Sequence, residues 1–226
     1  MSNVLEVTDR GHVRVLRLNR PEKKNALSQE LAWGIVHAVE QAAHDENVWV
    51  IGITGTDDAF CAGLDLTPEP STQSWTQMNP QDEYLDDLSW VSRFPLAIRE
   101  WCDKPVVAGI NGVAVGAGLS LAMAADIRLM ADGARLIAGY PRIGGSPDGG
   151  LSWTLPQVMG YEQAMRFLLE NRTVFAGEAL RLGMVGEVVE ADRFAARFDE
   201  YCDSLTQLSP ITARLSKLVV RHSTAL

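Results

Sequence analysis

The chain reads as an α/β protein, and three observations carry that reading. Strand-like runs recur at Val48–Thr54, Pro105–Ile110 and Ile127–Met130, the first two rich in β-branched residues. Segments with helical apolar spacing lie between them, and two glycine-bearing turns each follow one of the runs. Strands that alternate with helices become parallel neighbours in a layered sheet.

The elements follow in order. Val4–Val7 and Val13–Leu18 alternate around Asp9-Arg10-Gly11, which predicts a hairpin. Ser28 is placed to cap a helix over Gln29–Ala43, where Leu31, Ile35, Val36, Val39 and Ala42 share one face. After the strand Val48–Thr54 the pattern repeats with a strand at Pro105–Ile110 and a short helix at Leu119–Ala124. Strands at Ile127–Met130 and Leu136–Ala138 complete the repeat. From Leu151 onward the chain is mostly helical, at Tyr161–Glu170, Ala176–Leu182 and an amphipathic stretch Arg193–Leu205, with Val185–Val189 extended. The stretch Thr67–Tyr84 carries Pro68, Pro70 and Pro80 and two aromatics, Trp75 and Tyr84, and promises no regular structure. It reads either as a lid or as a solvated excursion.

Composition bounds the function. The 226 residues are 46% hydrophobic and 22% charged, enough for one main domain. A formal charge of −9 without a local Lys/Arg cluster argues against nucleic acid and against anionic membrane. Cys61, Cys102 and Cys202 are odd in number and widely spaced, so neither a disulfide framework nor a zinc site is suggested and buried, reduced thiols are expected. No basic-then-apolar leader opens the chain and no apolar run has membrane-spanning length, from which a cytoplasmic location is expected.

The two turns are Phe60-Cys61-Ala62-Gly63-Leu64-Asp65 and Asn111-Gly112-Val113-Ala114-Val115-Gly116-Ala117-Gly118. Small residues let backbone N–H groups approach a ligand, and a helix start leaves its first N–H groups without internal partners. Two such turns converging on one point can hold a developing oxyanion with backbone alone. Each is equally serviceable as a plain strand-to-helix turn.

Four stretches together resemble the enoyl-CoA hydratase/isomerase (crotonase) family. They are Leu18–Ser28, Phe60–Leu66, Lys104-Pro105 through Asp126, and Gly144–Gly160 with Ser146-Pro147-Asp148-Gly149-Gly150 and Leu155-Pro156. The resemblance covers nearly the whole chain. It implies a crotonase-like spiral of ββα repeats over residues 1–190 and a C-terminal helical oligomerisation segment over 191–226, short for the family. It further implies an acyl-CoA thioester as substrate, coenzyme A present only as part of that substrate, no metal, and a homotrimer or a hexamer built as a dimer of trimers.

By position the resemblance puts the two oxyanion N–H donors on Leu64 and Ala117, with Gly116 the neighbouring alternative. It brings coenzyme A near Lys23–Ala26 and Ala62–Leu66, and so near Lys24, Ala26, Ala62, Gly63, Asp65 and Leu66. Lys23 or Lys24 is then available to a phosphate, or is simply solvated. The family's hydratases use two glutamates, and those positions fall on Ser120 and Tyr140 here. Ser120 reads as a pocket-lining hydroxyl. Tyr140 reads either as a partner of the acyl group or as a core aromatic.

Asp148 is the carboxylate left in these motifs. Some isomerases of the family, and its aryl-CoA dehalogenases, are similar in placing an aspartate here. It is a proton-shuttling base, a nucleophile, or a helix N-cap before Leu151. Arg142 is positioned to pair with it and lower its pKa. Dehalogenation calls for a histidine near Trp90–Phe94, where Arg93 stands, and none of His12, His37, His44 and His222 lies in a matching motif. Double-bond isomerisation is the chemistry one carboxylate can perform alone. Hydration, thioester hydrolysis and silent acyl-CoA binding remain as alternatives.

Overall fold

A computed structural model of the chain describes residues 4–67 and 90–223, so Thr67–Tyr84, apart from Thr67, lies outside the described residues. Among the described residues ten strands form two sheets. β1 (Leu5–Arg10), β2 (Val13–Leu18), β3 (Val50–Gly55), β5 (Val106–Ile110), β7 (Ile127–Ala131) and β10 (Glu187–Val189) lie side by side in that order. β4 (Ala59–Cys61), β6 (Val113–Val115), β8 (Arg135–Ile137) and β9 (Thr173–Phe175) make the second sheet. Each of the pairs β3–β4, β5–β6 and β7–β8 gives one strand to each sheet before the chain turns helical, which is the expected ββα spiral. β1 and β2 pair antiparallel, whereas β2, β3, β5, β7 and β10 run parallel.

Local chemistry explains the elements. Ser28 Oγ accepts the Leu31 N–H at 3.2 Å and caps α1 (Gln29–His44), as its place before the apolar stripe predicted. Leu31, Ile35, Val36, Val39 and Ala42 of that helix are all buried. At its other end the buried Lys104 ammonium donates to the Ala42 and Asp45 carbonyls, which also receive the Asp45 and Val48 N–H groups, and so places a cation at the negative end of the helix. The strand β3 is buried along its whole length, consistent with its continuous apolar run.

The structure departs from the sequence reading in three places. The hairpin turn sits at Gly11–His12, because pairing between β1 and β2 continues to Arg10 opposite Val13. The three-residue strands β4, β6 and β9 were not expected. Their length leaves almost no alternation to read, and β4 and β6 lie inside or against the glycine turns. Third, the apolar stripe of Arg193–Leu205 is not left for a partner. Phe194, Phe198 and Cys202 of α8 (Phe194–Leu205) are buried in this chain's own core. A Cβ at Gly52 would stand 2.8 Å from the Phe198 ring and one at Gly109 2.6 Å, so these two strand glycines make the space the ring fills. The following helix α9 (Pro210–Ser223) has no buried residue.

Cys61, Cys102 and Cys202 are buried and unpaired. Among the described residues no helix is long and apolar enough to cross a membrane.

Candidate active site

The first glycine turn is tied down by the Leu18–Ser28 loop. Leu27 N–H donates to the Gly63 carbonyl at 2.7 Å, Asp65 N–H to the Leu27 carbonyl at 3.0 Å, and Ala62 N–H to the Lys24 carbonyl at 2.9 Å. The two stretches expected near coenzyme A therefore form one rim. Asn25, fully buried at φ +57°, donates to the carbonyls of Thr56 and Ala59 and accepts from Arg20 N–H, so the left-handed turn is held by side-chain bonds. Arg20, which carried no assignment in the sequence reading, bridges the Asp65 carboxylate at 2.8 Å and the Ala26 carbonyl at 2.6 Å. Asp65 is held low, at about 2, by the Thr67 side-chain hydrogen bond and the Arg20 guanidinium. Lys24 ends on Asp58 at 2.7 Å and Lys23 on Thr67 at 3.1 Å, while Leu66 is exposed.

In this rim the Leu27–Leu64 bridge uses the carbonyl of Gly63 and the N–H of Asp65. The Leu64 N–H takes no backbone partner among the described residues. The second glycine turn lies against the first. A Cβ on Gly63, whose φ is +95°, would come within 2.7 Å of the Val115 carbonyl oxygen and 3.7 Å of the Ala117 nitrogen. A Cβ on Gly118 would meet the Cys61 carbonyl at 2.3 Å. Two glycines thus allow the turns to touch through backbone, and the Leu64 and Ala117 stretches are neighbours.

Hydrogen bonding distinguishes Gly116 from Ala117. Gly116 N–H is spent on the Ile137 carbonyl at 3.2 Å. Ala117 is the first residue of α3 (Ala117–Ala124), behind Gly116 at φ +52°, and its N–H has no backbone partner among the described residues. The positive end of that helix faces the same place. Cys61 is no nucleophile for this spot, since burial pushes its thiol up to about 12.

Ser120, Tyr140 and Asp148, from three separate elements, form a single hydrogen-bonded cluster. Tyr140 begins the short helix α4 (Tyr140–Ile143), and its hydroxyl donates to Asp148 Oδ1 at 2.9 Å. Ser120 Oγ, on α3, lies 2.9 Å from the Tyr140 hydroxyl and 3.0 Å from the Asp148 carbonyl oxygen. The two positions where the family's hydratases hold glutamates thus meet the aspartate that follows them.

Asp148 stands at the open side of the cluster, with Oδ1 turned toward Tyr140. Partial withdrawal from water raises its pKa above the ordinary carboxylate value, and the Tyr140 hydrogen bond opposes the rise without cancelling it. Burial also raises the Tyr140 phenol, which stays protonated as the donor. The helix-cap reading of Asp148 fails for its side chain. α5 (Leu151–Met159) is preceded by Gly150 with no side-chain cap, and only the Asp148 carbonyl receives Leu151 N–H, at 3.0 Å. The expected Arg142–Asp148 pair does not form; Arg142 is exposed, and the hydroxyl of Tyr140 takes the facing oxygen instead. A cavity of about 310 Å³ begins beside the cluster at Gly149 and Gly150 and runs along Pro95, Leu96 and Trp153.

Such an arrangement can polarise a carbonyl with two backbone donors and move a proton with one carboxylate of raised pKa. Comparison with known proteins gives the family. A model of the enoyl-CoA hydratase/isomerase family matches residues 8–225. The chain is 33% identical to a 1,2-epoxyphenylacetyl-CoA isomerase of Escherichia coli, over 86% of this chain and 72% of that one. It is also 33% identical to a 4-chlorobenzoyl coenzyme A dehalogenase of Arthrobacter, over 85% and 68% of the two chains. The crystal structure of an enoyl-CoA hydratase from Mycobacterium avium subsp. paratuberculosis superposes with a TM-score of 0.87 at 31% identity, covering 98% of this chain and 86% of that one. With its spiral fold and its paired glycine turns, the chain belongs to the enoyl-CoA hydratase/isomerase family.

Proposed function

We propose that the protein isomerises the double bond of an enoyl-CoA thioester, with Asp148 as the single acid/base. The thioester oxygen accepts the N–H groups of Leu64 and Ala117. Asp148 removes a proton from Cα of a 3-enoyl thioester, the electrons spread into a dienolate held by the two amides, and the same proton returns at Cγ to leave the 2-enoyl product. Atoms and charge balance without water or a second acid. Backbone donors of this kind lower such a barrier by about 3 kcal/mol each.

The observation that carries the reading is the Ser120–Tyr140–Asp148 cluster. Both hydratase glutamate positions are hydroxyls bonded into the neighbourhood of one carboxylate, which supports one-base chemistry over activation of water. The rim of Lys24, Ala26, Ala62, Gly63, Asp65 and Leu66 is the proposed seat of coenzyme A. A homotrimer or dimer of trimers belongs to the same proposal, supported by the exposed Ile211, Leu215 and Val219 along α9.

The test is Asp148→Asn, assayed for 3-enoyl to 2-enoyl conversion and for hydration of 2-enoyl-CoA. Isomerisation lost by two or more orders of magnitude supports the reading. Isomerisation retained, or a wild-type enzyme that only hydrates, overturns it.

A further inference from the structure

A second cavity, of about 380 Å³, lies between α9 and the start of β7, and none of Ser120, Tyr140 and Asp148 forms part of its wall. Four cations reach it: Arg99 from the π-helical turn Ala97–Trp101, Arg128 from β7, and Lys217 and Arg221 from α9. That concentration runs against a chain charge of −9.

The carboxylates nearby are already committed to α9. Lys217 Nζ sits 2.8 Å from Asp126 and also donates to the carbonyls of Ile98 and Lys104. Arg221 lies 3.5 Å from Glu100 and donates to the Arg99 and Glu100 carbonyls. Among the described residues neither Arg99 nor Arg128 has a carboxylate at salt-bridge distance, and Asp126 acts on both only from farther away. Arg128 donates to two neutral acceptors, the carbonyls of Met184 at 2.7 Å and Ala125 at 2.6 Å. Arg99 stacks on Trp153 at 4.5 Å, and its Nε is buried without a hydrogen-bond partner among the described residues. Burial lowers the proton affinity of both guanidinium groups, and the more distant Asp126 carboxylate opposes the shift without cancelling it.

Withdrawing two guanidinium groups from water is costly unless an anion pairs with them. Planar guanidinium forks suit the oxygens of a carboxylate or phosphate. The wall also carries the apolar Met123, Ile127, Val158 and Val220, the polar Thr154, Gln157 and Ser216, and the Asp126 carboxylate that Lys217 neutralises, and the space exceeds that of a bare oxyanion. We infer that this cavity binds a small organic dianion, a doubly charged oxyanion head on a short apolar body, whose oxygens pair with Arg99 and Arg128.

Calorimetric titration of the whole protein in chloride buffer tests the site, with phenyl phosphate, glutarate and the monoanion butyrate as probes. One dianion per chain is expected to bind with a Kd below about 1 mM, and butyrate about tenfold more weakly. The tighter of phenyl phosphate and glutarate identifies the head group. Arg99→Gln is expected to weaken the dianion about tenfold and to abolish its upward shift of Tm, while Arg99→Lys restores part of both. Arg181→Gln, on a helix away from the cavity, leaves binding unchanged. Absence of saturable binding by either dianion to the wild-type protein, equal binding of butyrate, or unchanged binding in Arg99→Gln overturns the site.

Discussion

The hydroxyl of Tyr140 donates to Asp148 Oδ1 at 2.9 Å, joining a short helix to the glycine turn that follows it. The bond keeps the facing oxygen supplied with a donor while the rest of the carboxyl stays open to the cleft. It also sets the base strength of the group. Burial raises the pKa, and this bond draws it part of the way back.

Removing the bond moves the pH profile. In Tyr140→Phe the opposing influence is lost, so the pKa of Asp148 rises further and the acid limb of kcat/KM shifts to higher pH. Activity on the alkaline side of that limb falls by less than at Asp148→Asn. A pH–rate series on both proteins checks the direction, and an unmoved acid limb would separate Tyr140 from the titrating group.

Asp148→Asn separates activity from stability. Activity falls about 10²–10⁴-fold. Since the folded carboxyl has a raised pKa, ionising it opposes folding once the pH passes the unfolded value of 3.8. The amide carries no charge and can still accept from Tyr140. Melting temperature at neutral pH is therefore expected to rise in the variant, and to differ less from wild type below pH 3.8.

Gly63→Ala attacks the backbone site without touching a side chain of the cluster. Its Cβ would meet the Val115 carbonyl at 2.7 Å with φ at +95°, so the two turns must part. A loss of about 10²–10³ in kcat is expected, with Asp148 and its pH limb intact. Circular dichroism and kinetics on one preparation distinguish this from unfolding.

The Thr67 and Arg20 partners of Asp65 predict the acid response of the rim. With its pKa held to about 2, Asp65 contributes stability that is present above 3.8 and lost as the pH falls toward 2. Asp65→Asn costs about 2 kcal/mol at neutral pH, because the half-buried Arg20 loses its counter-charge. The difference between variant and wild type shrinks through that acid window, read by denaturant melts at several pH values.

Phe198→Ala measures how far α8 belongs to the core. The ring is 2% exposed and fills the space over Gly52 and Gly109, so about 4 kcal/mol of stability is expected to be lost. A cost below 1 kcal/mol would mean that the helix can lift from the sheet.

Long periodic segments were legible in the sequence because their burial is one-sided over many residues. The α1 stripe with its Ser28 cap, the apolar strand β3 and the parallel β5 and β7 follow from spacing alone. The motifs around Gly63, Ala117 and Asp148 also stood out, since glycine turns and a carboxylate between Pro147 and Gly149 are local features. Strands of three residues carry too little pattern to detect, and the fate of the α8 stripe depended on which surface lay opposite it. Arg20 escaped assignment because its partners, Ala26 and Asp65, are brought to it by two different turns.

Chain order and residue type by themselves determined an α/β architecture and the family, and singled out two glycine turns and Asp148 as candidates, because each is written in contiguous residues. Tertiary structure alone decided that Gly116 N–H is occupied while Ala117 N–H has no backbone partner among the described residues, that Ser120, Tyr140 and Asp148 share hydrogen bonds, and that Arg142 does not join them. These are contacts between segments far apart along the chain, and hydrogen bonding and burial between such segments exist only once the sheets and helices have packed.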